Sequence, residues 1–191
     1  MIAHVGLRHM KTYIALLRGI NVVGKGLLPM KELVAILESL GSQNVKTYIQ
    51  SGNAVFRHKA GPAETPRLVR KISDAILASR AFAPHVLLLD VKGLSKAAAA
   101  NPFPGAQVEP KSLHLFFLDS APSKAKLKSL AALQSANEHC ELRGSVFYLH
   151  APDGIGRSKL AANVERRLGV TATSRNWRTV CKLLEIANEY A

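Results

Sequence analysis

The chain has 191 residues, 48% of them hydrophobic and 20% charged, the proportions of a folded globular protein rather than a disordered, fibrous or membrane-embedded one. Lys and Arg outnumber Asp and Glu by 26 to 13, and the resulting charge of +13 is spread along the chain, so an anionic ligand or partner is expected. The two cysteines, Cys140 and Cys181, have no zinc-knuckle or Cys-x-x-Cys neighbours, and no apolar run approaches the length of a membrane span. A reducing, cytoplasmic setting is the expectation, with residues 1–9 read as an N-terminal extension that lacks the features of a signal peptide.

Strong patterning begins at Met10. Lys11 to Arg18 is a β-rich apolar run that ends in the turn-prone Gly19 to Gly26. Pro29 opens a helix whose Leu33, Ile36, Leu37 and Leu40 recur on one face, and Gly41 stops it. Val45 to Gln50 and Ala54 to His58 read as strands joined through Ser51-Gly52-Asn53, where Gly and Asn can adopt the positive φ of a tight hairpin. A second helix starts with Thr65 as N-cap and Pro66 at its first position, with Leu68, Ile72 and Ile76 on one stripe. His85 to Asp90 supplies a fourth strand.

After the Ala-rich stretch 94–100 and the helix-stopping Asn101-Pro-Phe-Pro104, the same grammar recurs. Leu113 to Leu118 is a strand, Ser123 caps a helix carrying Leu127, Leu130 and Leu133, and strands at 140–143 and 146–150 flank Gly144-Ser145. A helix over Lys159 to Leu168, a short strand near Val170 to Thr173 and a terminal helix from Trp177 complete the pattern. The expected fold is α+β: two tandem ferredoxin-like (βαββαβ) units with an additional C-terminal helix. The first unit is placed at 10–91, a connecting helix and loop at 92–110, and the second unit with the terminal helix at 111–191.

An RNA-binding sheet of this class shows alternating aromatics on an open face. The runs Tyr13 to Leu17 and Val86 to Leu89 do not alternate, which predicts sheets covered on both faces and Tyr13 and Phe56 in the core.

Three segments are candidates for anion binding. Gly19 to Gly26 follows a strand and matches the phosphate-cradling G-x-x-x-x-G-K loop. Gly26 replaces its magnesium-holding hydroxyl, leaving at most a backbone nest flanked by Arg18 and Lys25. Asp153 to Lys159 is a glycine-rich lead into a helix, with Ser158 as its cap beside Arg157 and Lys159. In Thr173 to Thr179, Arg175 and Arg178 bracket Asn176, the cap of the last helix, and Trp177 adds a flat surface. Cations at a helix N-terminus oppose its dipole, so their presence at two helix starts is better explained if an anion sits there. The seven histidines are scattered, no metal site or catalytic triad is expected, and His114 and His150 read as sheet residues.

The blocks RGINVVGKGLLPM at 18–30, VKTYIQSGNAVF at 45–56, NPF at 101–103, GIGRSKL at 154–160 and SRNWRTV at 174–180 together resemble the bacterial family catalogued as domain of unknown function 1697. Val23-Gly24 stands where that family carries a double glycine. The resemblance implies a compact bacterial cytoplasmic protein without a known activity or cofactor. It adds Asn21, Gln50, Ser51 and Asn53 to the polar residues of interest.

The expected role is binding of a small phosphate- or carboxylate-bearing ligand in a cleft between the two units. Arg175, Arg157, Lys159 and Lys25 would hold the anion, Asn53 and Asn176 would orient it, and Trp177 would pack against it. The alternative is a nucleic-acid-binding module that uses the net positive charge. A third reading gives the signature blocks a packing role alone.

Overall fold

The computed structural model describes residues 10–22 and 24–190; the N-terminal extension and Val23 lie outside them. Eight strands and six α-helices alternate as β1 (Lys11–Arg18), α1 (Met30–Ser39), β2 (Gln43–Tyr48), β3 (Asn53–His58), α2 (Thr65–Arg80), β4 (His85–Asp90), α3 (Val91–Ala99), β5 (Leu113–Leu118), α4 (Lys124–Ala131), β6 (His139–Arg143), β7 (Val146–His150), α5 (Val164–Leu168), β8 (Ala172–Asn176) and α6 (Trp177–Asn188). The result is a mixed α+β protein with two four-stranded sheets, ordered β2-β3-β1-β4 and β6-β7-β5-β8. Every pairing in both sheets is antiparallel. The chain divides into two compact units, one running up to Leu94 and resuming at Leu183, the other Ser95–Lys182. The C-terminal part of α6 therefore belongs to the first unit.

Each unit buries a helix-covered face of its sheet. In the first, Leu33, Ile36 and Leu37 of α1 and Leu68, Ile72 and Ile76 of α2 join Tyr13, Ala15, Leu17 and Phe56 in one cluster. In the second, Leu130 of α4 and Val164 and Leu168 of α5 join Phe116, Leu118, Phe147 and Leu149. Tyr13 to Leu17 are at most 4% exposed and all of β5 is at most 7% exposed. Alternate residues of a strand face opposite ways, so both faces of β1 and β5 are covered. One buried tyrosine in each unit finishes its polar end on a carbonyl: Tyr13 donates to Ala60 O (2.6 Å) and Tyr148 to Ala97 O (2.6 Å).

Several local expectations are corrected. A 3₁₀ turn at Pro62–Glu64 precedes α2, so Thr65 is inside the helix and its hydroxyl donates to Gly61 O instead of capping. The expected helix over 159–168 is a 3₁₀ turn at Ala161–Asn163 followed by the five-residue α5. Side chains compete with the helical ladder there: Ser158 Oγ accepts from Ala161 N and Asn163 Nδ2 donates to Lys159 O. The strand expected near 170–173 runs over 172–176, which places Arg175 and Asn176 at its end. In the β2–β3 connection the positive φ angles fall on Ile49 (49°) and Gly52 (76°), while Asn53 is the first residue of β3.

Candidate functional site

The signature residues of the first unit hold its loops together. Val22 and Lys25 exchange backbone hydrogen bonds, and Asn21 N donates to Gly26 O, so 21–22 and 25–26 pair with each other and these N–H groups are spent on carbonyls of the same loop. Asn21, at φ 53°, donates through Nδ2 to Leu28 O (2.9 Å) and Gln50 O (2.8 Å) and accepts Leu28 N at Oδ1 (2.9 Å). Buried Asn53 donates to Tyr48 O and to Ser51 Oγ. These two amides therefore clamp the same hairpin from two sides. Arg18 and Lys25 are exposed beside it.

In the second unit Arg157 and Lys159 are exposed, whereas Ser158 is buried. Arg157 and Ser158 line a small polar depression with Glu138 and Asp153. Burial raises the Glu138 carboxyl, but hydrogen bonds from Ser135 and Ser158 outweigh this and hold it below its ordinary value. The α-helix beyond it is five residues long, too short to present a dipole to an anion at Ser158. At the start of α6, Asn176 Oδ1 accepts Thr179 N (2.9 Å), the N-cap expected from its sequence position. Arg175 and Trp177 on either side are half-buried, and desolvation brings the Arg175 guanidinium down to about 10.

His114 faces Asn176 across the β5–β8 ladder. It is 6% exposed and its Nε2 has no hydrogen-bond partner among the described residues, so it is less satisfied than a plain sheet residue. Burial pushes its pKa below the ordinary 6.5, against a hydrogen bond to the Lys111 backbone that acts the other way. A depressed histidine pKa means that the unfolded chain binds more protons in acid. The stability His114 contributes is thus fully present above about pH 6.5 and is lost as the pH falls through its folded value. Urea unfolding of wild type is expected to show a larger loss between pH 7.5 and 5.5 than that of His114→Gln.

The pocket that best suits a ligand lies elsewhere in the first unit, where the end of β3 meets the start of α2. It encloses about 230 Å³. Leu40, Ala60 and Leu68 form its apolar wall, and Lys59, Arg67 and Lys71 bring three cations to it. None of the three forms an ion pair with another described residue. Glu64, the one acid of the lining, has its Oε2 on Gly61 N (2.8 Å). The floor is fixed: His58 Nδ1 accepts Ala60 N (2.8 Å), which leaves Nε2–H to donate to Leu40 O (3.1 Å), while Ala60 O receives the Tyr13 hydroxyl. Arg67, Arg70 and Lys71 are spaced i, i+3 and i+4 in the first two turns of α2, whose first turn carries no acid. They repel one another, and Arg67, in the first turn, opposes the helix dipole, which Glu64 at the N-cap position offsets.

Sequence reasoning missed this pocket because its cations are contributed by a strand end and a helix, outside the glycine-rich segments. The dipole argument applied to Arg67 in the first turn of α2 points to one of its three cations. Among the described residues no group of three or more metal-ligating side chains is gathered, and no helix is long and apolar enough to cross a membrane.

Two antiparallel four-stranded sheets with their helices, and a basic pocket in the first unit, define the class: a two-unit α+β protein with a cationic pocket. The chain belongs to the family described as protein of unknown function, DUF1697, which matches residues 10–148. A conserved bacterial protein from Streptococcus pneumoniae has a similar structure, with a TM-score of 0.70 and 22% identity, over 94% of this chain and 99% of that one. At that identity the likeness concerns the fold. No curated protein matches the chain.

Proposed function

We propose that this protein binds a small phosphate- or carboxylate-bearing ligand, and that the pocket of Lys59, Arg67 and Lys71 is where it does so. The observation that carries the reading is the convergence of three cations, none with an acidic partner among the described residues, on a walled pocket of about 230 Å³ with a hydrogen-bonded floor. A preorganised floor lowers the ordering cost of binding, and the apolar wall of Leu40, Ala60 and Leu68 suits a ligand with an organic body behind its charge. The desolvated Arg175 beside the capped start of α6 supports a second anchoring point of the same chemistry. Two free thiols fit the cytoplasmic setting inferred from composition. The βαββαβ order of each unit, with β1 and β5 inside their sheets, supports reading both as ferredoxin-like repeats.

The test is calorimetric titration of the full chain with inorganic phosphate, pyrophosphate, a nucleoside triphosphate and a dicarboxylate, repeated on Lys59→Ala and Arg67→Ala. Hydrogen bonds to charged groups contribute about 1.5–3 kcal/mol, so each variant should bind at least tenfold more weakly. Unchanged affinity in both variants would sink the pocket reading, and a Trp177 fluorescence response to the same ligand would move the site to the start of α6. The second reading, nucleic-acid binding, draws on the charge of +13. With both faces of β1 and β5 covered, it would rest on phosphate contacts, so oligonucleotide affinity should collapse steeply with added salt.

A further inference from the structure

We propose that His139 and His150 form a binding site for one borderline divalent metal ion, copper, nickel or zinc, with Phe103 shielding one side of it. The site is separate from the anion pocket and does not depend on it. The two histidines are direct partners in the β6–β7 ladder, which sets their Cβ atoms about 4.5–5.5 Å apart. Their ring centroids are 6.1 Å apart with planes inclined by 16°. Two imidazole nitrogens each about 2.0–2.1 Å from one zinc ion hold their ring centroids roughly 5–6 Å apart, so the observed separation is close to that of a chelate, which forms when the near-parallel rings turn about their side-chain torsions to aim one nitrogen each at the ion.

Neither ring has a hydrogen bond to another described residue, which leaves both with nitrogens to offer. The Phe103 ring lies 6.2 Å from His139 and 6.5 Å from His150. It is held there by Asn101, whose Oδ1 accepts Phe103 N (2.9 Å) and whose Nδ2 donates to Phe103 O (3.3 Å). The Asn-Pro-Phe block thereby acquires a role: it lays an aromatic ring over an imidazole pair.

The remaining polar groups on that side of the hairpin are committed elsewhere. Glu141 accepts from Arg143 Nε (2.7 Å), Arg143 also donates to Ala100 O (2.9 Å), and the Tyr148 hydroxyl is on Ala97 O. Among the described residues two protein ligands are therefore at hand, and water would complete the shell. For such a site the divalent series predicts that copper binds more tightly than nickel or zinc.

The experiment is titration of the tag-free full chain with copper, nickel and zinc chlorides by calorimetry, alongside histidine side-chain ¹H–¹⁵N spectra with zinc. Expected are one ion per chain, movement of only two of the seven histidine rings, and at least a tenfold loss of affinity in each of His139→Ala and His150→Gln. His4→Ala/His9→Ala should bind as wild type does. Uptake that persists in His139→Ala, that disappears only in His4→Ala/His9→Ala, or that moves other rings overturns the proposal. The spectra of the wild-type chain decide the matter even if a variant folds poorly.

Discussion

Replacing Gly52 by alanine is expected to destabilise the protein by about 2–5 kcal/mol in equilibrium urea unfolding. Two costs combine. Gly52 has φ +76°, where a side chain is strained by about 1–2 kcal/mol. A Cβ there would also meet Leu17 Cβ at 2.7 Å and Ile20 Cδ1 at 2.8 Å, both in the core, and overpacking of that kind costs about 1–3 kcal/mol. The hairpin cannot swing away cheaply, because Leu17 N donates to Gly52 O (2.8 Å). The second unit supplies the control. Gly144 holds the equivalent hairpin at φ +59° with nothing within 4 Å of a Cβ, so Gly144→Ala should show the backbone cost alone. A Gly52→Ala chain no less stable than Gly144→Ala would mean that the β2–β3 hairpin is looser than its contacts indicate.

Elements whose signal is local were legible in the sequence, and those decided by distant partners were not. The stripe Leu68, Ile72 and Ile76 is buried along α2 as its spacing predicts, and the unalternating run Tyr13 to Leu17 of β1 proved to be covered on both faces, whereas in the run Val86 to Leu89 of β4 only Val86 is buried and the other three are half-buried. The segment 159–168 misled because its apolar spacing is helical while Ser158 and Asn163 offer the backbone other partners, a competition that spacing does not register. The basic pocket was missed since Lys59 and Arg67 lie in different segments and come together only in the folded unit. The His139–His150 pair was within reach: once Gly144-Ser145 is read as a two-residue turn, residues equidistant from it are partners, and these histidines are equidistant. Scatter along the chain concealed adjacency across a ladder.

The same distinction bears on Asn21, which the signature blocks suggested as a ligand contact and whose amide is instead bonded to Leu28 and Gln50. Asn21→Ala is expected to cost about 2.5–6.5 kcal/mol: three hydrogen bonds of about 0.5–1.5 kcal/mol each, plus about 1–2 kcal/mol for the strain of alanine at φ 53°. Asn21→Gly removes the same three bonds but tolerates the backbone angle, so it should be less destabilised than the alanine variant by about 1 kcal/mol. Calorimetric affinity for phosphate or pyrophosphate, measured at a temperature where both variants are folded, should match wild type, because the pocket proposed to take the anion is lined by residues 40, 58–60, 64, 67, 68 and 71 and includes none of this loop. If both variants kept wild-type stability and lost phosphate affinity, Asn21 would be a ligand contact and the glycine loop, rather than the pocket at α2, would be the site. A stability loss that separates alanine from glycine with affinity intact would instead place Asn21 among the residues that hold two loops in register, a task that also explains why an asparagine, with its tolerance of the left-handed region and its paired donor and acceptor, stands at this position.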